Sequence, residues 1–119
     1  MVPVTFAVLV GRDDQPDRVV IAIDAKPKSG RPLKRLANIA ANSRVSIIVD
    51  HYDDTDWSQL WWVRADGTAR VVDDGPERTE GIDALRTRYA QYCGEVAIDG
   101  PLIVSDVDRW SGWSGSVAR

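Results

Sequence analysis

Residues 44–72 read RVSIIVDHYDDTDWSQLWWVRADGTARVV. Their pattern sets the fold class. RVSIIVD is rich in β-branched and apolar residues, so it reads as a strand that is largely buried. HYDDTDWSQ is acidic and polar and reads as a loop. LWWVRADG is the next strand. Its Asp66-Gly67 pair has the chemistry of a hairpin turn, from which TARVVDDG returns as a further strand. Strands joined this closely predict antiparallel pairing.

The flanking sequence extends the pattern in both directions. VPVTFAVLV, from residue 2, and RVVIAID, from residue 18, are β-branched runs separated by the hydrophilic turn GRDDQPD, and they read as a hairpin. Leu33, Leu36, Ile39 and Ala40 recur at helical spacing, so residues 33–42 form a short amphipathic helix, with Pro32 suited to its first turn. Residues 76–92 read as a second helix, loosened near Gly81, with an apolar stripe of Ile82, Leu85 and Tyr89. PLIVSDVDRW, from Pro101, is a final strand, and the tail WSGWSGSVAR is small and polar apart from its tryptophans. The order β-β-α-β-β-β-α-β predicts a mainly β fold: an antiparallel sheet closed into a small barrel with helices at its ends. At 119 residues the chain is expected to be one domain, residues 1–119. Period-2 alternation is blurred in several strands. Strands buried on both faces would produce that, and a dimer interface would supply the second face.

Charge is concentrated in one place. Residues 25–44, AKPKSGRPLKRLANIAANSR, contain Lys26, Lys28, Arg31, Lys34, Arg35 and Arg44 and no acid, in a chain whose net charge is −3. A loop running into a helix N-terminus already favours an anion, and lysine and arginine add charge and donors. The competing reading is a solvated basic helix face. Lys34 and Arg35 sit where positive charge opposes the helix macrodipole, which points to an anion that reverses the balance.

Several function classes are excluded or disfavoured. The acidic balance argues against a general nucleic-acid binder. One cysteine, Cys93, permits no intrachain disulfide, and with one histidine it makes no zinc site of the usual kind. No apolar stretch reaches transmembrane length and no signal-peptide pattern opens the chain, so the expectation is a soluble cytoplasmic protein with no membrane contact. Asp53, Asp54 and Asp56 lack the glycine and distal glutamate of a calcium loop and read as a solvated acidic loop, with no metal.

VPVTFAV, then VVIAIDAKPKSGRPLKRLANIAANSRVSIIVDHYDDTDWSQLWWVRADGTARVV, and finally RWSGWSGS together resemble the pyridoxamine 5'-phosphate oxidase-like, FMN-binding split barrels. Within them the chain is similar to the actinobacterial branch of coenzyme F420-dependent oxidoreductases. The resemblance implies a homodimeric split β-barrel with a flavin or deazaflavin in each of two clefts between subunits. It implies a cofactor phosphate held by Lys26, Lys28, Ser29, Lys34 and Arg35, with Asn38 the polar residue that follows on the helix. It also implies a ring pocket shaped partly by the partner's Trp110 and Trp113. The expected function is hydride transfer from F420 to a small organic acceptor. The alternatives are an FMN-binding split-barrel protein and a non-catalytic F420 storage protein. Members of the family usually carry an N-terminal helix and a first strand ahead of the segment VPVTF, so the barrel is expected to lack them and to show an edge beside residues 2–9.

No catalytic dyad is evident, as expected where a coenzyme carries the chemistry. His51 reads either as a donor to a ring carbonyl or as a structural hydrogen-bonding histidine. Trp61 and Trp62 are adjacent on a strand and face opposite sides, so one is expected in the barrel core and the other at an interface or the cofactor cleft. Trp57, Trp110 and Trp113 fall in loop-like or terminal sequence, where a large exposed aromatic marks an interface. Arg64 is expected to form a salt bridge across the dimer.

Overall fold

The Asp66-Gly67 pair does not turn the chain. In the computed structural model, which describes residues 4–22, 38, 39, 41–94, 98 and 100–115, it lies inside one continuous strand. The five strands are β1 (Phe6–Leu9), β2 (Arg18–Ala22), β3 (Arg44–His51), β4 (Trp61–Val72) and β5 (Leu102–Ser114). All neighbours are antiparallel, in the order β1-β2-β5-β4-β3. The expected fourth and fifth strands are thus the two halves of β4, and β5 runs past the expected final strand into the tail. β3 pairs with β4 without interruption from Arg44↔Thr68 to His51↔Trp61. On the other side the register jumps from Asp66↔Arg109 to Gly67↔Val107, leaving Asp108 as the extra residue of a β-bulge on β5. Glycine is needed there because the strands approach closely: a Cβ at position 67 would lie 2.1 Å from the Asp106 carbonyl oxygen.

The sheet is mostly antiparallel with one regular helix among the described residues, α1 (Pro76–Arg88), and it forms a split barrel whose sheet is not closed. β1 and β3 are its two edges. Residues 38, 39 and 41 are also helical, within the expected 33–42 segment. Gly81 does not loosen α1. It is buried in mid-helix, where a Cβ would stand 2.8 Å from Leu102 Cδ1 and 3.0 Å from Val20 Cγ1. Its missing side chain lets the helix lie down on the sheet. The helix ends at Arg88, before the extended Tyr89, and Ala90–Cys93 continue as a 3₁₀ turn. Arg86 and Arg88 in the last turn suit the helix dipole.

Both faces of the central strands are apolar. Under α1, Ala7, Val20, Leu85, Leu102 and Val104 form one core. On the opposite face Val19, Ile21, Ala65, Ala69, Ile103 and Val107 form a second, flanked by Phe6, Ile39, Val45 and Ile47. This accounts for the blurred alternation. On the second face, edge-strand residues and Ile39 pack against the cluster from within the chain.

Charge clamps α1 to the interior strands of the sheet. Arg18 pairs with Glu77 and Glu80 at 2.8 Å each, and Arg70 pairs with Glu77 and with Asp106. The Arg70 guanidinium, and behind it Arg18, hold the Glu77 carboxyl below its ordinary value of 4.5 against the opposing effect of partial burial. A depressed carboxylate stabilises the fold above its unfolded pKa, and that contribution fades as pH falls through the folded one. The Glu77→Gln variant is therefore expected to be less stable than wild type by about 1 kcal/mol at neutral pH. Urea unfolding followed from pH 7 down to about pH 3 should show the two converging below the ordinary glutamate pKa. A gap independent of pH would refute this assignment.

Candidate functional site

One end of the sheet is aromatic and uncovered. Trp62 on β4 and Trp113 on β5 are directly opposed. They are 39% and 52% exposed. Strand alternation puts Ile48, Asp50 and Arg64 on the same face. With Leu60, Trp61, His51 and Tyr52 these residues border an open cavity of about 450 Å³. Both Trp61 and Trp62 remain well exposed, so neither enters the core as expected. The first four residues of β4 extend past the part of the sheet that α1 covers. His51 lies opposite Trp61 and stacks on it, centroids 5.9 Å apart and planes 21° from parallel.

Arg64 is fixed within its own chain. Its Nε donates to Asp66 Oδ1 at 2.8 Å and its terminal nitrogen to Ser46 Oγ on the neighbouring strand at 3.2 Å. The Ser46 hydroxyl, followed by Arg64, holds the Asp66 carboxyl below its usual range. Arg64 borders the cavity, and its side chain stays about half exposed. In the adjoining loop, Asp53 accepts from the Thr55 backbone and hydroxyl and from the Asp56 backbone. Asp56 caps the 3₁₀ turn at Trp57 through the Ser58 backbone and hydroxyl. These carboxylates organise the loop that carries Trp57, which is 72% exposed.

A second cavity, of about 830 Å³, lies on the opposite face, between β3 and the inner side of β1, β2 and β5. Its wall is aliphatic and aromatic, from residues such as Phe6, Ile21, Val45, Ile47 and Ile103. Asn38, Ser46, Asp50 and Ser105 are the polar residues that border it, the side chains of Ser46 and Asp50 belonging to the opposite face.

Among the expected site residues, Lys26, Lys28, Ser29, Lys34 and Arg35 lie outside the described residues. Asn38 is helical and exposed, lines the inner cavity, and accepts the Asn42 N–H through its carbonyl at 2.9 Å. Trp113 borders the outer cavity. Trp110 pairs with Ala65 and so falls on the other face, where its Nε1 donates to Asp17 Oδ2 at 2.9 Å. The fold therefore does not bring these two tryptophans together within one chain. Sequence reasoning missed Tyr52, Asp17 and Ser105. Only Ser105 left a signal, a lone hydroxyl inside the apolar run LIVSDV.

Residues 1–114 match the family model described as pyridoxamine 5'-phosphate oxidase. Among solved structures, a conserved hypothetical protein of Mycobacterium tuberculosis is similar with a TM-score of 0.63 and 16% identity, over 92% of this chain and 65% of that one. A conserved protein of unknown function from Corynebacterium diphtheriae is similar with a TM-score of 0.57 and 23% identity, over 93% of this chain and 71% of that one. Both are likenesses of fold. The chain thus spans a little under two thirds of the first neighbour's length. No curated protein matches it. Among the described residues no helix is long and apolar enough to cross a membrane.

Proposed function

Because the chain belongs to the pyridoxamine 5'-phosphate oxidase family, whose fold is a flavin-binding one, we propose that it binds the deazaflavin coenzyme F420 and serves hydride transfer to a small organic acceptor. The observation that carries this reading is the uncovered aromatic cavity of Trp62, Trp113, Tyr52 and His51, with Arg64 at its side. A tricyclic coenzyme ring needs flat apolar faces and a few donors. Those residue types fit it. When bound, the coenzyme supplies the two-electron chemistry, and the protein supplies placement, charge and exclusion of water.

In this proposal the indoles of Trp62 and Trp113 hold the ring, and Arg64 offers donors to its polar edge. The basic segment with Lys26, Lys28, Ser29, Lys34 and Arg35 binds the coenzyme phosphate, with Asn38 beside it. A second copy of the chain closes the open cavity and contributes Trp110. The family description favours FMN as the second reading. A storage protein that binds F420 without turnover is the third.

Titration with F420 and, separately, with FMN should quench tryptophan emission, and the tighter ligand identifies the coenzyme. The Lys28→Ala and Arg35→Ala variants are each expected to bind about 5- to 100-fold more weakly, as for loss of one charge-assisted phosphate contact. Neither change should alter the sedimentation behaviour of the dimer. Unchanged affinity in both variants would displace the phosphate site, and no quenching by either coenzyme would overturn the proposal.

A further inference from the structure

We infer that β5 pairs edge to edge with β5 of a second copy of this chain, so that one sheet continues through two subunits about a twofold axis at Gly112. Backbone hydrogen bonding singles out this edge. The Gly115 N–H donates to the Leu60 carbonyl at 2.8 Å, one position past the Trp61↔Ser114 pair. Peptide groups alternate in direction along an antiparallel strand, so Ser111 and Trp113 also turn theirs to β4, and Trp110 and Gly112 turn theirs away from it. On that far side β5 pairs with β2 only as far as Arg18↔Asp106, after which the Val107 N–H donates to the Asp17 carbonyl at 2.9 Å. Past this point no described strand pairs with Trp110 or Gly112, and their N–H and C=O groups line an open edge. Both residues are exposed.

The other two edges are guarded. On β1 the outward N–H of Phe6 donates to the Tyr89 hydroxyl at 3.3 Å. On β3 the Arg44 N–H donates to Asn42 Oδ1 at 3.2 Å, and Arg44 and Asp50 put charge along the strand. Charge, proline and covering groups are the usual means of keeping strand edges apart. Residues 110–115, WSGWSG, hold no charge and no proline. A second copy is the occupant because this stretch complements itself. Turned antiparallel about Gly112, it sets Gly112 against the partner's Gly112, Ser111 against the partner's Trp113 and Trp110 against the partner's Ser114, so each large side chain meets a small one. The Trp110 indole is already held by Asp17, which lowers the cost of ordering it. Alternation then extends two rows across the seam: Arg64, Ser111 and the partner's Trp113 on one face, and Trp61, Ser114 and the partner's Trp110 on the other. Arg64 and Trp61 both border the outer cavity. The inference rests on the reading above, in which a second copy completes that cavity and supplies Trp110, and adds the edge by which it does so.

The test uses the full chain without coenzyme. Sedimentation equilibrium should show a dimer that dissociates on dilution. In a sample that mixes isotope-labelled with unlabelled protein, a filtered nuclear Overhauser effect should link Ser111 Hα of one subunit to Trp113 Hα of the other. These two face each other as a non-hydrogen-bonded pair, where antiparallel backbones approach to about 4.5 Å between Cα atoms. Hydrogen exchange at the Gly112 amide should slow at least about tenfold from dilute monomer to concentrated dimer, while the outward amide of Ile48 on β3 changes by less than about twofold. A chain that stays monomeric at its highest soluble concentration would overturn the inference. So would a dimer in which the Gly112 amide exchanges freely, or in which Ile48 is protected instead. Pairing through β5 without binding of F420 or FMN would count against the coenzyme proposal alone. Coenzyme binding by a dimer joined at another surface would count against the β5 pairing alone.

Discussion

The Gly67→Ala variant is expected to yield little or no folded protein. The added Cβ would sit 2.1 Å from the Asp106 carbonyl oxygen, 2.9 Å from its carbon and 3.1 Å from Val107 Cα. All three are backbone atoms, so no side chain can rotate away. Relief requires β4 and β5 to separate at the bulge, and these are the strands that share the longest pairing in the sheet. Overpacking a core typically costs about 1–3 kcal/mol. A clash confined to backbone belongs at or above the top of that range, a large part of the total stability of a domain this size. Circular dichroism and the soluble yield on expression check it. The control is Gly94→Ala, where nothing lies within 4 Å of the new carbon and φ is −146°. That variant should stay within about 0.5 kcal/mol of wild type. Equal stability of the two variants would contradict the close approach.

Leu85→Ala should give the next largest loss. Leu85 is fully buried and is the innermost residue of α1, packed in the cluster with Val20, Leu102 and Val104. Truncations of this kind cost about 2–5 kcal/mol, and the figure rises when the site cannot collapse around the gap. Here it cannot. One turn away, Gly81 already brings the helix as near the sheet as Val20 and Leu102 permit. The loss is therefore expected in the upper half of that range, read as a lowered urea midpoint with an unchanged slope. Leu85→Met, which conserves volume, should cost less than about 1.5 kcal/mol. A loss below about 1 kcal/mol for Leu85→Ala would mean that α1 is not seated as described.

Much of the architecture was legible in the sequence because β-branched runs and polar turns are local signals. The strands beginning at residues 18 and 44 fall where the pattern puts them, and β1 occupies the later part of the run expected from residue 2. The misreadings share one physical cause: a residue type with two uses, between which only a distant partner decides. Asp66-Gly67 has the chemistry of a hairpin turn, yet here glycine admits the backbone of β5, some forty residues later in the chain. Gly81 has the chemistry of a helix breaker, yet it serves as a contact point. Trp61 and Trp62 do face opposite sides, but no local pattern tells where a strand runs out beyond its core.

The candidate site was legible in kind and less so in place. Its aromatic residues stood out in the sequence. Their division between two faces depends on Asp108, whose insertion lets Val107 and Trp110 face the same way although an odd number of positions separates them. Blurred alternation was legible as burial on both faces, but a sequence does not reveal that its own edge strands and helical residues will pack over the second face. Ser105 stands out in the sequence as a lone hydroxyl in an apolar run, but its lack of a partner among the described residues is a property of three-dimensional packing.

The strand order β1-β2-β5-β4-β3 also sets a schedule for assembly. Two hairpins, β1 with β2 and β3 with β4, can form from neighbouring sequence, but each is only a fragment with an exposed flank. They are joined by β5, the last described strand to be synthesised, through contacts such as Arg18↔Asp106 that span most of the chain. Cooperative closure must therefore wait until β5 has left the ribosome, and the rate of folding should be governed by that long-range insertion.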